Sequence, residues 1–111
     1  MRKNNNNTDK KKLLGLRIKE LRQRKNLSRA QLSEKIDIET SSLSNIENGY
    51  NYPLLANLEA LALALNCTMS DFFSFEHLNS VSDLQKEINI MLETHPDKIQ
   101  DIYKMLKGLF L

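Results

Sequence analysis

The sequence predicts an all-α protein, and three observations carry that expectation. Glycine and proline are scarce, three and two among 111 residues, so little interrupts a helix. Apolar residues recur at helical spacing through most of the chain. Serines stand where such segments begin, with Gln or Asp three residues later, the pattern of an N-terminal cap.

Residues 1–12 are polar and low in complexity, with four consecutive asparagines and KKK at 10–12, and are expected to form a disordered basic arm. A first helix is expected over about 13–25. Leu14, Ile18 and Leu21 line one side, and Arg17, Lys19, Arg24 and Lys25 occupy the others. Asn26 tolerates the left-handed conformation that ends it. Ser28 and Gln31 form a capping box for a short second helix with Leu32 and Ile36 on one face, interrupted by Asp37. A third helix is expected over about 40–48, with Leu43 and Ile46 inward and Gly49 as its stop. Two helices of about two turns, joined by about four residues, have the proportions of a helix-turn-helix. The third helix exposes Thr40, Ser41, Ser44 and Asn45, all short and uncharged. Such a face suits base edges in a major groove, where long ionic side chains would go to phosphate.

Pro53 is expected to open a fourth helix that ends near Asn66, with Leu58, Leu61, Ala62 and Leu65 inward. Ser70 is read as the cap of a short turn in which Phe72 or Phe73 closes the core. Residues 76–80 read as a linker. Ser80 and Asp83 cap a helix to about Thr94, whose stripe is Val81, Leu84, Ile88 and Met91 or Leu92. His95 and Pro96 break it, and Pro96 opens a last helix with Ile99, Ile102, Tyr103, Leu106, Leu109 and Phe110 on one wide face.

The net charge of +2 conceals a strong segregation. Residues 1–29 hold eleven Lys or Arg against two acids, and residues 30–111 hold five against twelve. A polyanion is therefore expected at the N-terminal side of the fold. No apolar run approaches the roughly 20 residues of a membrane span, and the basic start leads into no signal core. The single Cys67 excludes an internal disulfide and reads as core, fitting a reducing, cytoplasmic compartment. His77 and His95 share no metal-ligand spacing with Cys67, and there is no phosphate-binding glycine loop or nucleophile motif. Neither an enzyme nor a cofactor or metal site is expected.

The runs LGLRIKELRQRKNLSRAQLSEKIDIETSSLSNIENG and YPLLANLEALALALNCTMSDFF, within residues 14–73, resemble the phage-repressor and Cro-type helix-turn-helix regulators. The resemblance implies a five-helix lambda-repressor-like domain at 13–75, followed by a C-terminal helical hairpin at 81–111 that lies outside it. It also implies a sequence-specific DNA-binding transcriptional regulator, expected to be a dimeric repressor that binds a palindromic operator through helix 3 in the major groove. Thr40, Ser41 and Asn45 match base-contacting positions, with Ser44 beside them. Arg29 and Asn48 match phosphate-contacting positions, and Arg22 and Glu47 match an ion pair beneath the recognition helix. Departures are small: Ser33 stands at a position that usually carries alanine, and Asp37 replaces a common turn glycine.

The hairpin is expected to dimerise the protein through Leu84, Ile88, Leu92, Ile99, Ile102, Tyr103, Leu106, Leu109 and Phe110, since two apolar stripes exceed what one chain can cover. The partners expected are thus double-stranded DNA and a second copy. A second reading, from a different class, is an antitoxin-like or antirepressor-like interaction protein whose acidic C-terminal half binds another protein.

Overall fold

The computed structural model describes residues 6–111; Arg2 and Lys3 of the expected arm lie outside them. The chain is helical throughout the described residues, with no strand. Its order is α1 (Asn6–Arg24), α2 (Arg29–Lys35), α3 (Thr40–Glu47) and α4 (Leu55–Leu65), then α5 (Val81–Thr94) and α6 (Ile99–Phe110). Short 3-10 turns span Met69–Phe73, Glu76–Leu78 and Pro96–Lys98. The chain divides into two compact units, Met1–Leu78 and Asn79–Leu111.

The helix ends follow local chemistry. Asn26 ends α1 at φ +57°, and the Leu27 N–H returns to the Arg22 carbonyl. Ser28 Oγ accepts the Gln31 N–H at 3.0 Å while Gln31 Oε1 accepts the Ser28 N–H at 2.8 Å, a closed capping box. Asp37 takes the left-handed turn position at φ +59°, a conformation its short polar side chain tolerates. Gly49 follows α3 at φ +80°.

Four expectations at element ends are corrected. α1 begins at Asn6, not near Leu13, so Lys10, Lys11 and Lys12 are helical. Lysine and leucine are good helix formers, and the extra turns gain tertiary contacts with the segment after α3. Pro53 lies ahead of α4, whose N-cap is the extended Leu54. Thr68, not Ser70, caps the Met69–Phe73 turn, in a reciprocal box with Asp71. Pro96 opens a 3-10 turn rather than α6 itself.

The core of the first unit is a single apolar cluster. Leu14, Ile18 and Leu21 of α1 meet Leu32 of α2, Leu43 and Ile46 of α3, and Leu58, Leu61 and Leu65 of α4. Phe72 is fully buried and closes the cluster, whereas Phe73 stays exposed. At about 25 cal/mol per Å² of apolar surface, a buried leucine contributes roughly 2 kcal/mol, so this cluster is the main stabilising element of the unit. Arg17, itself buried, donates from Nε to the Asp71 carbonyl at 2.8 Å and from Nη1 to Glu20 at 2.8 Å. His77 Nε2 lies 2.9 Å from the same Glu20 carboxylate, so the start of the expected linker is tied into the first unit. Burial works against the Glu20 charge, but the Arg17 and His77 contacts outweigh it and hold the carboxyl below its usual range.

In the second unit no residue of α5 or α6 is buried. Leu84, Leu92 and Ile102 are half-buried, while Ile88, Ile99, Tyr103, Leu106, Leu109 and Phe110 are exposed. Ser80 Oγ accepts the Asp83 N–H at the start of α5, and His95 Nδ1 donates to the Met91 carbonyl at its end.

Candidate nucleic-acid interface

α2 and α3 form the helix-turn-helix, and their crossing is sealed by small groups. Ser33 is buried; its hydroxyl lies 3.1 Å from the Ala30 carbonyl and 3.0 Å from Thr40 Oγ1. The serine therefore satisfies its own turn and anchors the first residue of α3. Thr40 remains exposed, but its hydroxyl is shared with Ser33, a link that the sequence reading missed.

Ser41 and Asn45 are exposed on α3, and Ser44 is half-buried. Asn48 is exposed at the C-cap, its Nδ2 donating to Ser44 Oγ at 3.3 Å. No side chain caps the N-terminus of α3, so its first N–H groups are open to an outside acceptor.

Beneath this face lies a buried charge cluster. Arg22 donates from Nε to Glu47 Oε2 at 2.7 Å and from Nη2 to Oε1 at 3.0 Å, a bidentate pair. Its Nη1 donates to the Leu27 carbonyl at 2.7 Å. Arg29 Nε adds a third donor to Glu47 Oε1 at 2.8 Å, with the Arg29 side chain still 33% exposed. Glu47 thus holds the end of α1, the start of α2 and the end of α3 together. The Arg29 contact was not legible beforehand, because residues 29 and 47 meet only through the fold.

Two glycines permit close backbone approach here; Gly49 was expected only as the stop of α3, and no role was foreseen for Gly15. A Cβ on Gly15 would collide with the Ile46 carbonyl oxygen and lie 2.7 Å from that of Glu47. A Cβ on Gly49 would lie 2.8 Å from the Lys12 Cα. α1 therefore crosses the last turn of α3 at backbone contact. A lone glycine inside an otherwise strong helical run was the signal that could have revealed Gly15.

The surroundings of α3 are electrostatically uneven. The end of α2 and the turn before α3 carry Glu34, Asp37 and Glu39, all exposed, around an open notch that also touches Thr40 and Ser42. Arg29, Lys11 and Lys12 stand instead near the segment where α3 ends. Elsewhere, burial pushes the Cys67 thiol up, with Asp71 adding to the effect, which disfavours a reactive thiolate. Among the described residues no cluster of His, Cys, Asp and Glu could hold a metal, and no helix is long and apolar enough to cross a membrane.

The helix-turn-helix family model matches residues 18–72, the span that holds α2, α3, α4 and most of the buried cluster. The control protein C.MunI of a Mycoplasma species is 35% identical over 74 residues, covering 66% of this chain and 89% of that protein. The chain belongs to the helix-turn-helix family. The immunity repressor of Bacillus phage phi105 is 37% identical over 76 residues, 68% of this chain and 51% of the repressor. The chain therefore spans about half the length of that relative. A solved chain from the SinR protein/SinI protein complex superposes with a TM-score of 0.55 at 25% identity, covering 86% of this chain and 98% of that one.

Proposed function

We propose that this DNA-binding transcriptional regulator acts as a dimeric repressor that reads a palindromic operator with α3 in the major groove of each half-site. The observation that carries the reading is the contrast between the two faces of α3. Its inner side is fixed by Leu43, Ile46 and the Arg22–Glu47–Arg29 cluster. Its outer side offers Ser41, Asn45 and the N-terminal Thr40 to solvent, with no charge to divert them to phosphate. Asn45 is assigned to base readout, because a carboxamide pairs with both N6 and N7 of adenine. Thr40, Ser41 and Ser44 supplement it. Arg29 and Asn48 are assigned to phosphate: Nε of Arg29 is held by Glu47, and its side chain stays one-third exposed.

Selecting binding sites from random DNA tests this directly. A palindrome should emerge. Asn45→Ala should relax preference at one base pair per half-site and cost roughly 1–3 kcal/mol there. Arg29→Ala should weaken every sequence by a similar factor. If Asn45→Ala left all relative affinities unchanged, α3 would not be the reading helix.

The hairpin is assigned to dimerisation through its stripe, Leu84, Ile88, Leu92, Ile99, Ile102, Tyr103, Leu106, Leu109 and Phe110. Leu109 and Phe110 are three-quarters exposed, too much apolar surface to leave in water. A two-fold axis through the hairpin would set two recognition helices about 34 Å apart, one turn of duplex. Light scattering on the full chain checks it: Leu106→Asp with Leu109→Asp should give a folded monomer with much weaker operator binding. A double variant that stayed dimeric would remove the hairpin from this role. A second reading, an antirepressor-like chain whose hairpin binds another protein, is favoured by the similarity to a chain solved in a two-protein complex, since 86% coverage extends past the first unit.

A further inference from the structure

We propose that the buried Ser33 fixes the hydrogen-bond polarity of Thr40, so that Thr40 meets a base edge only as an acceptor. It then selects an exocyclic amino group, adenine N6 or cytosine N4. The inference rests on the DNA-binding reading above, in which Thr40 faces the major groove, and names the class of base that this position takes.

The polarity follows from counting hydrogens. Ser33 on α2 is 2% exposed, with its hydroxyl oxygen 3.1 Å from the Ala30 carbonyl and 3.0 Å from Thr40 Oγ1. A hydroxyl owns one hydrogen and two lone pairs, whereas a carbonyl can only accept. The Ala30 contact is therefore a bond only if Ser33 donates. Ser33 then has no hydrogen left for Thr40, and the second contact is a bond only if Thr40 donates to Ser33. The opposite polarity forms one bond instead of two and leaves the Ala30 contact unbonded. Burial makes that difference count, because Ser33 is shielded from the water that would otherwise make up the loss.

Thr40 is the first residue of α3 and is exposed. With its hydrogen turned inward, its hydroxyl keeps two lone pairs for a donor from outside. In the major groove the donors are the N6 amino group of adenine and the N4 amino group of cytosine. Guanine offers N7 and O6 there, and thymine offers O4, all of them acceptors. An acceptor set against an acceptor leaves both without a hydrogen, so guanine and thymine are disfavoured at the contacted base. Phosphate oxygens also only accept, and the same polarity reserves Thr40 for bases. Ser33 acts through Thr40 and is a positioning residue. With alanine at 33 the Thr40 hydrogen would be free, and the residue could donate or accept.

The test is site selection from random DNA by the full chain, run in parallel on the parent and three variants. Thr40→Val keeps the shape and removes the hydroxyl. It should lose preference at one base pair per half-site, which marks the base that Thr40 reads. There the parent should carry adenine or cytosine, favoured over guanine and thymine by about two- to tenfold, the effect of one neutral hydrogen bond. Thr40→Ser keeps the hydroxyl and should keep the preference. Ser33→Ala should admit guanine or thymine at that pair while every other position stays as in the parent. Loosened packing alone would not confine its effect to one base pair. Guanine or thymine in the parent overturns the proposal, as does an unchanged preference in Ser33→Ala. Should Ser33→Ala fail to fold, the base carried by the parent at the pair marked by Thr40→Val still decides. If Thr40→Val altered no position while Asn45→Ala did, this proposal would fall and the recognition reading would stand. A parent that selected no sequence would overturn both.

Discussion

Replacing Glu47 with alanine is expected to destabilise the first unit by about 3–5 kcal/mol, among the largest effects of any single substitution in the chain. An exposed ion pair contributes only about 0–1 kcal/mol, so burial decides which magnitude applies. The Glu47 side chain is fully shielded and that of Arg22 is 8% exposed. Both carboxylate oxygens are occupied, Oε2 by Arg22 and Oε1 by Arg22 and Arg29. Removing the carboxylate leaves two guanidinium groups facing each other with no anion between them. Arg22 retains only the Leu27 carbonyl. Arg22→Ala should also be costly, because it leaves the buried carboxylate with Arg29 as its one charged partner. The double variant should cost much less than the sum, and urea unfolding of all four proteins gives that coupling. Coupling near zero would show that the cluster holds nothing together. Arg29→Ala should couple to Glu47 more weakly, since one of its nitrogens is engaged and its side chain reaches solvent.

How much of this was legible follows from the range of the interactions. Signals carried by neighbouring residues read well. Ser28 with Gln31, Asn26 at a left-handed position and Gly49 after α3 are each specified within a turn, and each is found at its place. Competing local signals were harder. Thr68 and Ser70 stand two residues apart, and only the box with Asp71 decides between them. The start of α1 was misread because composition argued for disorder, while the stabilising contacts to Gly49 and Tyr52 come from far along the chain. Long-range polar contacts were the least visible. Arg17 reads as one more cation on a basic helix, yet it is buried and bonded to the Asp71 carbonyl. Thr40 reads as a free hydroxyl, yet it shares its bond with Ser33. The basic face is accordingly smaller than the count of lysines and arginines suggests, since Arg17 is spent inside the fold.

Gly15→Ala and Gly108→Ala should change stability in opposite directions, although both replace a glycine inside a helix. Propensity alone favours alanine by about 1 kcal/mol at either site. At Gly108 nothing lies within 4 Å of the added Cβ, so that gain should appear nearly whole, as increased helicity of α6 by circular dichroism. At Gly15 the added carbon meets the Ile46 and Glu47 carbonyls, which are backbone and cannot rotate away. α1 must then move off α3. Overpacking of this kind costs about 1–3 kcal/mol or more, enough to reverse the sign. The displacement also disturbs two things at once: the Arg22–Glu47 geometry, since both partners lie on the helices being separated, and the approach of Lys12 to Gly49. Denaturant unfolding should therefore show Gly15→Ala less stable than the parent, by more than the propensity gain is worth. A Gly15→Ala protein as stable as the parent would mean that α1 and α3 adjust without strain at this crossing.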